Sequence, residues 1–282
     1  MRHPHVLSTL LAGAVFLSGC AEKSADETVE RAFQDVNVID DANLNDVMLT
    51  VADPNEAVIY FQRVLKEEPG KIEHNRGLAL SLMRAKRYDE GAAAWERTVA
   101  LPARTDADRV ELADALIRSG NWAKAEQTLT SIPPTHETFA RYRLEAIIAD
   151  SKQQWEKADS FYETAVGLTT EPAPVLNNWG YSKLTRGAYK DAERLFTSAI
   201  TQDAGLFTAK NNLVLARGAQ RNYTLPVIPM DQAERAQLLH TLALSAIKQG
   251  DVETGKGLLR EAIDTHPQHF EAASRSLAAL EG

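Results

Sequence analysis

The chain of 282 residues has a single cysteine, Cys20. That count excludes an internal disulfide framework, a cysteine-built zinc site and a paired-cysteine redox motif. A basic excess is also missing: 31 Lys and Arg stand against 39 Asp and Glu, for a net charge of −8. Nucleic-acid binding needs a cationic face, so that class of partner is excluded. The apolar run at 6–17 is too short for a permanent membrane span, which takes ~20 residues. Runs of β-branched residues are scarce while alanine and leucine are frequent, which disfavours sheet and favours helix.

Recognisable catalytic machinery is missing as well. There is no nucleophile elbow, phosphate loop or zinc-protease motif. Gly255-Lys256-Gly257 lacks the upstream glycine and following Ser or Thr of a phosphate loop. His266 and His269 flank Pro267-Gln268 without an obvious third metal ligand. The expectation is a protein that is not an enzyme and has no cofactor, metal or small-molecule substrate. Trp95, Trp122, Trp155 and Trp179 all fall at periodic positions that predict core packing and not a sugar platform.

What is present begins at the N-terminus. A short basic and polar start precedes the run at 6–17, and Leu17-Ser18-Gly19 leads into Cys20. The run fits the apolar region of a secretory signal, and the four residues resemble the lipobox of bacterial lipoproteins. That resemblance implies cleavage before Cys20 and lipidation of its thiol, which also accounts for an unpaired cysteine in an exported chain. No aspartate follows the cysteine, and outer-membrane sorting is the implied destination. The expected organisation is a signal at 1–19, a lipidated N-terminus and acidic tether with room for one short helix at 20–52, and a helical solenoid at 53–282.

The solenoid is read from a repeat. Tyr88, Trp122, Trp155, Tyr189 and Tyr223 recur at steps of 34, 33, 34 and 34. Small residues follow at Gly91, Ala125, Ala158 and Ala192, with Ala57 one step earlier, and large apolar ones at Phe61, Trp95, Leu129, Tyr162 and Phe196. Gly120, Gly187 and Gly250 precede second helices, where a residue with positive φ ends the first. Pro69, Pro102 and Pro267 stop second helices. This wording resembles the tetratricopeptide repeat, a 34-residue helix pair whose apolar stripes are buried only by stacking on neighbours. The implied fold class is all-α, a tetratricopeptide-repeat superhelical solenoid with an N-terminal signal and tether. Two departures stand out: Pro54 replaces the first aromatic, and the segment at 224–230, with Pro226 and Pro229, cannot continue as helix. That segment is expected to pack along the solenoid, with the repeat resuming at Asp231 and an amphipathic helix capping the end.

In such solenoids the concave face is lined by first helices. The register places Arg76, Leu80 and Arg84 there, then Asp114 and Arg118, then Arg143, then Asn177 and Tyr181, then Asn211. The arginines are candidates for a partner's carboxylates or are simply solvated. Asn177 and Asn211, 34 apart, suit a clamp on a peptide backbone or a structural role common to the repeat. The combination of lipobox, acidic tether, degenerate repeats and the run Asn211-Asn212-Leu213-Val214-Leu215-Ala216 resembles the tetratricopeptide lipoproteins of tight-adherence (Flp) pilus systems, the TadD-like group. The stretches at 216–223, 255–257 and 262–267 add to that likeness. It implies a pilotin-like assembly factor on the outer membrane, facing the periplasm, whose partner is the secretin or another pilus component. A general envelope adaptor that recruits cell-wall hydrolases or outer-membrane assembly factors is the other reading.

Overall fold

A computed structural model describes residues 44–281, and among them every regular element is a helix. The signal, Cys20 and the greater part of the acidic tether lie outside the described residues. Residues 44–50, the end of the stretch expected to be tether, form α1. Met48 and Leu49 of α1 pack on the first core cluster, and Tyr60 donates to Asn45 Oδ1 at 3.0 Å. The first unit therefore has a first helix, which its weak periodicity does not advertise.

Antiparallel pairs follow in order. They are α2 (Pro54–Glu67), which completes the first unit; α3 (Ile72–Arg84) with α4 (Tyr88–Ala100); α5 (Asp106–Arg118) with α6 (Trp122–Thr130); α7 (Phe139–Ser151) with α8 (Trp155–Gly167); and α9 (Ala173–Thr185) with α10 (Tyr189–Gln202). Then come α11 (Phe207–Ala219), α12 (Gln232–Lys248), α13 (Val252–Thr265) and α14 (Glu271–Glu281). The starts are written in local chemistry. Asp53 caps α2 by accepting from the amides of Asn55 and Glu56, with Pro54 in the first turn. Thr105 with Asp108 and Asp231 with Glu234 form capping boxes at α5 and α12, which satisfy amides no helix can satisfy itself.

The turns between paired helices share one device. Gly120, Gly187 and Gly250 have φ of 80°, 79° and 86°, and Lys86, Gln153 and Arg221 occupy the same left-handed position at 59°, 57° and 58°. The sequence marks only the three glycines, because the other turns reach that conformation with side chains that resist it.

Packing follows the repeat. Ala57, Ala125, Ala158 and Ala192 are fully buried, and so are Phe61 and Phe196, with Trp95, Leu129 and Tyr162 nearly so. A Cβ on Gly91 would stand 2.6 Å from Met83 Sδ, and one on Gly255 2.4 Å from Ile247 Cγ1, so both glycines are close-approach positions. The tryptophans divide. Trp95 is core, Trp155 and Trp179 are half-buried, and Trp122 is 42% exposed, which corrects the expectation that all four are core. The reason is position: Trp122 and Trp155 are the first residues of α6 and α8, at the rim of the pair, whereas Trp95 lies two turns inside α4.

After α11 the regular second helix is absent. Pro226 and Pro229 forbid it, and 222–230 runs as a strap. Leu225, Ile228 and Met230 pack on Val214, Leu238 and Leu242, while Val227 is fully exposed. Lys210 Nζ reaches Glu234 at 2.7 and 3.0 Å, tying α11 directly to the start of α12 across the gap.

Candidate functional site: a two-part groove on the first helices

The face made by first helices falls into two halves of different chemistry. In the N-terminal half the arginines proposed for binding are already spent on protein groups. Arg76 donates two hydrogen bonds to Asp108, at 2.7 and 2.8 Å, from α3 to α5. Burial pushes the Asp108 carboxyl up, but the Arg76 guanidinium and the Thr105 amide outweigh it and hold the group below the usual carboxylate range. Asp114 accepts from Arg118 at 2.5 Å on its own helix and from Arg143 at 3.0 Å on α7. Arg84 donates to the carbonyls of Met48 and Ala52, at 3.0 and 2.9 Å, and so closes the end of α1. Leu80 packs against the core cluster. Of the residues proposed from register, Arg76, Arg84, Asp114 and Arg143 form an inter-repeat ladder, Arg118 joins it from within its own helix, and Leu80 joins the core.

The C-terminal half is open. A groove of 570 Å³ is lined by Trp122, Ile147, Asp150, Trp155, Asn177, Asn178, Tyr181 and Asn212, among others. A second compartment of 680 Å³ shares Tyr181 and Thr185 with it and continues along Leu184, Leu215, Leu244 and Lys248. Tyr181, Leu244 and Trp122 are 53%, 45% and 42% exposed, large apolar side chains held toward solvent on one face. Of the register-derived residues, Asn177 and Tyr181 meet here. Asn211 accepts a 2.8 Å bond from Thr241 between α11 and α12.

Two half-buried carboxylates, Asp150 on the groove lining and Asp159 behind the aromatic wall, organise this part of the face. Asp150 accepts from Tyr162 Oη at 2.9 Å and Ser182 Oγ at 2.7 Å, and burial raises its pKa despite those bonds. Asp159 of α8 accepts from Trp179 Nε1 at 2.6 Å and Lys183 Nζ at 2.8 Å, and also from Arg186. The Arg186 guanidinium lies 5.4 Å from the centre of the Trp155 ring, and Trp179 stacks on Tyr162 at 6.2 Å. Cation–π contact and ring stacking fix the aromatic wall before any ligand arrives. Asn212 donates to Asn177 Oδ1 at 3.0 Å, which orients both amides toward the groove.

Trp122, Trp155, Asn178, Leu215, Leu244 and Lys248 were missed by register reasoning. The aromatics at the starts of second helices carried the signal, because a rim position shared by Tyr and Trp faces the groove as readily as the core. Among the described residues, no cluster of three His, Cys, Asp or Glu is placed to hold a metal, and no helix is long and apolar enough to cross a membrane. His266 Nδ1 instead meets the backbone at Gln268, and His269 pairs with Glu271.

Comparison with known proteins agrees with this architecture. Two family models, each described as tetratricopeptide repeat, match residues 49–109 and 237–269. No curated protein matches the sequence. Among solved structures, a tetratricopeptide repeat protein from Parabacteroides merdae is 12% identical, with a TM-score of 0.55, over 91% of this chain and 98% of that one. The C-terminal part of a repeat-containing protein from Cytophaga hutchinsonii is 14% identical, with a TM-score of 0.52, over 82% and 98%. A chain of the Cut9-Hcn1 hetero-tetramer of the APC/C is 13% identical, with a TM-score of 0.60, over 86% of this chain but only 48% of its own length. At such identities the likeness is one of fold. The described residues accordingly form an all-helical solenoid of tetratricopeptide-repeat type, matched as such over residues 49–109 and 237–269.

Proposed function

We propose that this protein is an outer-membrane-tethered periplasmic scaffold that grips a protein partner during assembly of a tight-adherence (Flp) pilus, the partner being the secretin or another component of the machine. The observation that carries the binding role is the groove along α7, α9, α11 and α12, rimmed by the starts of α6 and α8, where Trp122, Tyr181 and Leu244 stand exposed beside the unspent amide of Asn178. An exposed apolar patch rimmed by polar groups marks an interaction site. The pilus assignment rests on the lipobox and on the wording of the last repeats. No bond need be made or broken. Lipidation at Cys20 fixes the scaffold at the bilayer, and confinement there raises the effective concentration of groove and partner segment.

The test is a crosslinking pull-down from membranes with the native chain and with Cys20→Ala. The native chain is expected to bring down the secretin, and the variant to remain soluble and fail to support pili. Recovery of cell-wall hydrolases or outer-membrane assembly proteins in place of pilus components selects the envelope-adaptor reading.

A further inference from the structure

The charge census of the groove says what kind of segment it takes. On the N-terminal half every arginine proposed for binding is already paired. Around the aromatic wall, Lys183 and Arg186 are both held by Asp159. Lys248 differs. It is exposed, lines the aliphatic compartment beside Leu244, and makes no ion pair or side-chain hydrogen bond among the described residues. The first compartment has the opposite polarity, because its ionisable floor is Asp150. Between them the walls are Tyr181, Leu184, Leu215 and Leu244. Asn178, on the first compartment's wall, makes no side-chain hydrogen bond among the described residues, so its donors and acceptor remain for a backbone.

Resting on the reading of this groove as a binding site, we propose that its occupant is a polypeptide segment with two apolar side chains and a carboxylate. The apolar residues lie against Tyr181 and Leu244, and the carboxylate lies on Lys248. Asp150 disfavours an acidic group at the other end, so the two compartments also fix the direction in which the segment lies. A nucleic-acid occupant does not fit, because the one cation lining the groove among the described residues cannot track a phosphate backbone.

A phage-displayed library of random dodecapeptides, selected on the full chain in detergent, supplies the probes. Enriched peptides are then synthesised and titrated by the emission of Trp122 and Trp155. The expected peptides carry two large apolar residues and an Asp or Glu. Changing that acid to its amide weakens binding to the native chain about threefold to fivefold, the upper part of the range of an exposed ion pair. The same change has no effect on Lys248→Gln, and Lys248→Glu favours peptides with Lys in place of the acid. Lys248 is exposed and makes no ion pair among the described residues, so loss of fold does not confuse the result; a circular-dichroism melt checks this. Peptides whose affinity is the same in the native chain and Lys248→Gln overturn the proposal and leave the groove intact as a site. Failure to enrich any peptide that Tyr181→Ala weakens removes the groove reading itself.

Discussion

Lys86, Gln153 and Arg221 sit where three glycines sit in the sister turns, with φ near 58°. A left-handed conformation costs a residue with a Cβ roughly 1–2 kcal/mol, while glycine adds about 0.5–1 kcal/mol of unfolded-state entropy. Lys86→Gly is therefore expected to stabilise the protein by about 0.5–1 kcal/mol, read as a higher midpoint in urea; a lower midpoint contradicts the turn geometry. Arg221 is a poorer choice, since its side chain also pairs with Asp251. Asp108 makes the complementary case. It receives Arg76 from another repeat and closes the cap of α5, with 4% of its side chain exposed. Asp108→Ala strands a guanidinium and opens the cap, and a loss of about 3 kcal/mol is expected, against less than half of that for an exposed pair such as Arg194 with Asp191. Equal losses at the two sites contradict the ladder described here.

Single elements show where the chain is tuned. The capping helix α14 packs chiefly on α13, and the chain around its start also touches α12 at His240, whose ring meets Phe270 edge-on at 5.4 Å and Ser276 Oγ of α14 at 3.4 Å. Burial lowers the His240 pKa, so the folded protein binds its proton less readily than the unfolded chain. That contribution is fully present above the ordinary histidine range and is lost as pH falls through it. Hydrogen exchange in α14 is expected to speed up between pH 7.5 and pH 5 relative to α9, and His240→Gln is expected to flatten the difference. An unchanged ratio in the native chain contradicts the docking role. The strap at 222–230 was legible in outline because Pro226 and Pro229 cannot be helical. Helix α1 was not, because its hold on the solenoid comes from Tyr60 and Arg84 and from the core met by Met48 and Leu49, all further along the chain, and local periodicity does not record them.

At the scale of the whole molecule, stacking in a fixed register was readable from side-chain size alone. Ala57, Ala125, Ala158 and Ala192 all stand at zero exposure because two helices must touch there. The site was readable only in part. Register pointed to the face of the first helices, yet it could not tell that Arg76, Arg84 and Arg143 find partners one repeat away, since pairing across repeats depends on the superhelical offset between units. Nor could it place Trp122 and Trp155, whose rim position is ambiguous between core and groove until the next pair is seen beside them. The result is a solenoid whose candidate arginines in the N-terminal half are already paired and whose C-terminal half, on the reading proposed above, is left for a partner. Photocrosslinking in living cells tests that division. A benzophenone side chain in place of Tyr181 or Leu244 is predicted to trap the protein recovered by the membrane pull-down, while the same group in place of Arg76 or Arg118 is predicted to trap nothing beyond background. Adducts from the Arg76 and Arg118 positions, with none from Tyr181 and Leu244, contradict the account.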